Sequence, residues 1–215
     1  MTVSTAGQGM RKLDVGETIR YGWDVTKANL SLLIVLVIVA ALATGIPSGI
    51  AESLEQPAPG LAALFRLASS ILSIVVGIGA LRISLRLHDG QQVALRDLFA
   101  VDWSIFWRYA VATFLYSLIV AVGLVLFVIP GIILAVRYLF FGYFVVEKGA
   151  RPVEALARSS AATEGVRWDL FVFVLALLLL NIVGALLVLI GLLITVPISY
   201  LAAARVYRTL TSSPA

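Results

Sequence analysis

The chain has 215 residues, 61% hydrophobic and 13% charged, with a mean hydropathy of +1.04, against the half-apolar, quarter-charged mix of a soluble domain. A soluble core of this length cannot hide so much apolar surface, whereas a bilayer accepts it directly, so the composition places the chain in a membrane. The net charge of +4 comes from dispersed basic residues, which argues against a nucleic-acid partner, and with no cysteine there is no disulfide, thiolate metal site or thiol nucleophile.

Residues 1–12 read as a flexible tail, 13–210 as one membrane domain and 211–215 as a second tail. Val15, Ile19, Gly22, Trp23, Thr26 and Leu30 recur at helical spacing and predict an amphipathic helix with Trp23 on its apolar stripe. Six continuously apolar segments follow, at 30–50, 65–87, 107–129, 132–147, 169–190 and 191–207. Unbroken apolarity without alternation predicts transmembrane helices and argues against a transmembrane barrel. At 1.5 Å per residue the third segment reaches about 34 Å, enough for a hydrocarbon core of about 30 Å, and the fourth only about 24 Å. Ala41-Leu42-Ala43 offers a cleavage pattern, but the long polar lead and the length of the apolar stretch predict an uncleaved anchor.

The connections alternate between long, charged ones and short, neutral ones. Arg11, Lys12, Arg20 and Lys27 precede the first span; Arg82, Arg86, Arg96 and Arg108 sit at or between the second and third spans; Lys148, Arg151, Arg158 and Arg167 lie between the fourth and fifth; Arg205 and Arg208 stand at the close of the chain. The other side carries Glu52, Glu55 and Arg66, then the uncharged turns Ile129-Pro130-Gly131 and Leu189-Ile190-Gly191. The positive-inside rule then predicts an inner-membrane protein with both termini cytoplasmic. The fold class expected is all-α, with six transmembrane helices forming three hairpins, each preceded by a cytoplasmic interfacial helix. The second interfacial helix would hold Leu95, Leu98 and Phe99. The third would start at Pro152 and pair Glu154 with Arg158. Trp23, Trp107 and Trp168 are the expected interfacial anchors.

Trp107 and Trp168 are 61 residues apart, as are Gly123 and Gly184, while Gly131 and Gly191 are 60 apart. This spacing suggests a duplicated hairpin, with a pseudo-symmetry axis along the membrane normal. Ser69, Ser73 and Gly77, and likewise Thr113, Ser117 and Ala121, put small side chains four apart, a pattern suited to close helix packing within a chain or between copies.

Asp89-Gly90 followed by Leu98-Phe99, Ile129-Pro130-Gly131, Ala155-Leu156 with Ser159 and Gly165, and Pro197 with Tyr207 and Leu210 form a pattern spanning roughly residues 13 to 210. It resembles a bacterial membrane-protein family named after the membrane domain fused to some glycerophosphodiester phosphodiesterases. The resemblance implies six helices and no established shared activity. The catalytic barrel of those enzymes has no counterpart in this sequence.

The chemistry-bearing residues are few. His88, the single histidine, sits in a turn-like His-Asp-Gly-Gln, read as a helix stop. No phosphate-binding loop, zinc helix or nucleophile elbow occurs, so neither catalysis nor a cofactor or metal is expected. No acid lies deep in a span to carry protons. Asn181 and the span hydroxyls are expected to tie helices together, and Tyr138, Phe140, Phe141, Tyr143 and Phe144 to pack. Arg137 alone falls inside a span, and two roles are open to it. It can snorkel to the outer headgroups, or it can hold an anionic group such as a lipid phosphate, with Asn181 and carbonyls near Pro197 as neighbours. The function expected is a non-catalytic scaffold or accessory subunit that organises lipid, a membrane-protein partner or a second copy of the chain. The alternative is a small transporter for an uncharged or anionic amphiphile.

Overall fold

A computed structural model of the chain describes residues 13–187 and 190–212. The expected N-terminal tail, most of the C-terminal tail and Leu189 of the last short connection lie outside the described residues. The described residues are helical throughout, joined by turns. In order these are α1 (Val15–Ala28), α2 (Leu30–Ser53), α3 (Pro59–His88), a 3-10 turn at Leu95–Leu98, α4 (Trp103–Leu126), α5 (Val128–Arg137), α6 (Phe141–Lys148), α7 (Pro152–Ala162), α8 (Arg167–Leu186) and α9 (Leu192–Thr211).

Five stretches are long and apolar enough to cross a membrane: α2, α3, α4, the combined α5–α6 and α8. The protein is a multi-pass helical membrane protein on this ground. α9 is 20 residues long but more polar, carrying Arg205, Tyr207 and Arg208. Its position explains its composition, because it packs against α1, α2, α3 and α8. Ile198, Leu201, Ala202, Ala204, Val206 and Tyr207 are all nearly inaccessible. A helix surrounded by protein does not need a uniformly apolar coat.

α1 begins at Asp14, whose side chain accepts the Glu17 backbone N–H at 2.9 Å, and Glu17 and Lys27 complement its dipole at either end. Its buried face is Thr18, Gly22 and Thr26; Gly22 and Thr26 belong to the expected stripe, while Trp23 at the edge of that stripe is exposed. The reason is close approach to α9: a Cβ on Gly22 would stand 2.7 Å from the Ile198 carbonyl oxygen.

α2 and α3 lie side by side, joined where Ser69 Oγ donates to the Thr44 carbonyl at 3.0 Å and lies 2.7 Å from Ser48 Oγ. The small-residue face at Ser69 is therefore used within the chain. On α4, Ser117 and Ala121 of the second such face remain exposed. The segment expected as a second interfacial helix is instead a single 3-10 turn. Asp97 accepts the Ala94 N–H at 2.9 Å and pairs with Arg86 at 3.2 Å, and Leu98 is sunk against α3 at Gly79, which leaves no room for a longer helix.

The turn after α4 lies three residues before Pro130. The chain reverses at Phe127, which is extended (φ −160°, ψ 146°), and Pro130 falls in the first turn of α5, where a missing N–H costs nothing. Gly131 serves packing: a Cβ there would come within 2.8 Å of the Leu124 nitrogen, and one on Gly123 within 2.9 Å of the Gly131 Cα. Gly184 and Gly191 make the same kind of contact, a Cβ on Gly191 standing 2.6 Å from the Gly184 Cα.

Candidate functional site

The expected Arg137 site is rearranged. α5 stops at Arg137 and α6 starts at Phe141, so the backbone between them loses regular helical bonds. α7 supplies them: Ser159 Oγ accepts the Phe140 N–H at 3.1 Å, and Ser159 Oγ and Thr163 Oγ1 donate to the Arg137 carbonyl at 3.3 and 3.0 Å. The Arg137 side chain then donates from Nε to Ser160 Oγ, with its Cζ 5.6 Å from the Tyr138 ring. Its partner is thus the segment after α6, on the side expected to be cytoplasmic, which is a correction to snorkelling toward the outer turn. Asn181 belongs to a different group, donating to Ser199 Oγ and the Leu177 carbonyl, both at 2.8 Å. The pairing of Arg137 with Asn181 and the carbonyls near Pro197 is therefore not what the fold brings together. It replaces them with Ser160, Tyr138 and Glu164, which line a groove of about 540 Å³ with Arg137.

Phe140, Phe141, Tyr143 and Phe144 are packed inward, Tyr143 stacking on Tyr207 at 5.0 Å and Phe141 on Tyr116 at 4.9 Å. Trp23, Trp107 and Trp168 are 42%, 52% and 73% exposed, so all three lie at the molecular surface. Lys27 covers the Trp23 ring at 5.5 Å.

A second cluster joins the ends of four helices. Arg208 pairs with both Asp89, at 2.6 Å, and Glu147, and Tyr207 Oη donates to the other Glu147 oxygen at 2.5 Å. Arg205 pairs with Glu17 and lies over the Tyr21 ring at 4.7 Å. Tyr21 Oη and His88 Nδ1 are 2.8 Å apart. Burial pushes the Tyr21 hydroxyl above its ordinary range, while the Arg205 guanidinium pulls partly back and Asp89 adds to the rise. With Lys148 beside Glu147 at 3.5 Å, acids and bases balance in number. Such a balanced cluster clasps helices and does not recruit an ion of one sign. The sequence reads His88 and Asp89 as a helix stop only, and Glu147 as the end of an apolar run. The available signal was that these acids and Arg205 and Arg208 all fall on one predicted side.

A third feature is a crevice of about 160 Å³ between α2, α3 and α9, walled by Leu33, Leu36, Val76, Ile83, Pro197 and Leu201 among others. Among the described residues, no group of three or more histidines and acids converges as a metal site. Comparisons with protein-family models, curated proteins and solved structures find no match.

Proposed function

We propose that this protein is a non-catalytic, six-helix inner-membrane scaffold or accessory subunit that organises lipid, with three helical hairpins and both termini cytoplasmic. The observation that carries the reading is how polar and apolar groups are divided. α3, α4 and α8 turn large apolar side chains outward, with Leu64 62%, Phe114 68%, Val125 87% and Leu186 78% exposed. The Ser48, Ser69, Ser73 and Ser199 hydroxyls and the Asn181 amide nitrogen are spent on neighbouring backbone or on each other, as in the Ser48–Ser69 and Asn181–Ser199 contacts. The crevice between α2, α3 and α9 is walled by aliphatic residues, which suits an acyl chain and not a hydrated solute.

On this reading the chain belongs with the six-helix family whose motifs it resembles, and the motif residues have roles consistent with a shared scaffold. Gly131 allows α4 and α5 to touch, Ser159 fills the α5–α6 break, and Tyr207 and Asp89 join the clasp. Thr113 Oγ1, Thr195 Oγ1 and Asn181 Oδ1 are buried without a partner, and such atoms favour the rival reading of a small transporter for an amphiphile. Reconstitution into proteoliposomes separates the two. The scaffold reading expects lipid retained through purification, seen by native mass spectrometry, and no protein-dependent flux of a short-chain fluorescent phospholipid. Protein-dependent flux would make the transporter the correct reading.

A further inference from the structure

The groove at Arg137 contains two opposite charges that do not meet. Arg137 and Glu164 line the same opening between α4, the α5–α6 break and α7. Neither takes part in any ion pair among the described residues. Arg137 is held on two sides: its carbonyl accepts from Ser159 and Thr163, and its Nε is engaged by Ser160. That orients the guanidinium while the hydrogen-bonding capacity of its terminal nitrogens stays available, the edge that suits a phosphate. Glu164 is exposed at the end of α7.

The groove also continues. A second, almost wholly apolar groove of about 400 Å³ runs along the same α4–α5 seam, shares Ile119 with the first, and is bounded by Leu118, Val122, Leu126, Pro130 and Leu134. From Ile119 to Leu126 the helix rises about 10 Å, room for a stretch of acyl chain.

We infer that this seam holds one zwitterionic phospholipid of the phosphatidylethanolamine type, with its phosphate on Arg137, its ammonium on Glu164 and an acyl chain in the apolar groove between α4 and α5. This rests on the lipid-organising reading and names the headgroup class. Charge complementarity selects it: an anionic lipid such as phosphatidylglycerol satisfies Arg137 but leaves Glu164 facing net negative charge. A primary ammonium donates hydrogen bonds to a carboxylate, whereas the trimethylammonium of phosphatidylcholine donates none. The adjoining apolar groove favours a lipid over a soluble zwitterion.

The test places the full chain in nanodiscs of equimolar phosphatidylethanolamine, phosphatidylglycerol and phosphatidylcholine and reads the lipid retained after extraction by native mass spectrometry. The expected result is about fivefold enrichment of phosphatidylethanolamine over either competitor, the scale of one accessible charge contact. Glu164→Gln, a change at an exposed position, should bring phosphatidylethanolamine and phosphatidylglycerol to parity, and Arg137→Gln should lower both. Lipid retained without headgroup preference, or a preference that survives Glu164→Gln, overturns this inference and leaves the lipid-organising reading standing. No retained lipid at all overturns that reading itself. Soluble glycerophosphoethanolamine displacing the lipid at equal concentration overturns the assignment to a membrane lipid.

Discussion

A side chain at Gly79 would collide with the Leu98 carbonyl group, its carbon lying 2.7 Å from the new Cβ, because the 3-10 turn is pressed onto α3 there. Backbone cannot give way as a flexible side chain can, so Gly79→Ala should cost about 1–3 kcal/mol through overpacking. Gly49, on α2, has nothing within 4 Å of the same added atom, and there alanine should be neutral or stabilising by up to about 1 kcal/mol. Thermal unfolding in detergent should separate the two variants; equal midpoints would mean that the turn does not dock on α3. At Arg208 the argument is electrostatic. Its side chain is about a quarter exposed and is shared by Asp89 and Glu147. Removing it leaves the less exposed Glu147 with only Tyr207 and the more exposed Lys148, so Arg208→Gln should cost about 1–3 kcal/mol. Adding Glu147→Gln should return part of that loss, since the stranded charge is gone. Strictly additive effects would show that the two side chains do not interact.

At the scale of elements, the α5–α6 break depends on α7. Ser159 both accepts the Phe140 N–H and donates to the Arg137 carbonyl, so Ser159→Ala should cost about 1–3 kcal/mol for buried groups left unpaired. Hydrogen exchange at the Phe140 amide should rise at least tenfold, while α4 remains protected; unchanged exchange there would mean that another group satisfies the amide. This junction was not legible in the sequence. Residues 132–147 read as one apolar run, and nothing in local propensity shows that a serine from the following segment will enter the run. The turn at Phe127 was equally hidden, because Pro130-Gly131 carries the usual turn residues but uses them for a helical first turn and for contact with Gly123. The glycines were legible only as recurrences 61 and 60 residues apart, read as a duplication; that Gly123 meets Gly131 and Gly184 meets Gly191 emerges only from the tertiary fold. The candidate groove was half legible: Arg137 stood out as a charge in a span, but Glu164 and Ser160 reach it only through the tertiary fold.

At the scale of the whole molecule, the charge clasp bears on the proposed six crossings. Arg208 pairs with Asp89 and Glu147, and Arg205, about one turn earlier on α9, pairs with Glu17; charges in contact at the ends of helices lie on one side of a bilayer. The chain between any two of them must then cross an even number of times. Between Glu17 and Asp89 lie α2 and α3, and between Asp89 and Glu147 lie α4 and the combined α5–α6. Between Glu147 and Arg208, α8 supplies one crossing, and on the proposed six-span reading α9 supplies the other, its 20 residues rising about 30 Å. On that reading, a chain with five crossings would put Arg208 on the opposite face from both of its carboxylates. Because the chain has no cysteine, single cysteines can be introduced without background at the exposed positions Gln56, Gln92, Arg151 and Ser212. In sealed, right-side-out membranes an impermeant thiol reagent should label position 56 from outside and positions 92, 151 and 212 only after permeabilisation. Labelling of position 212 from outside, with 92 and 151 still protected, would take α9 out of the count of crossings and would require the Arg208 clasp to be absent in the membrane.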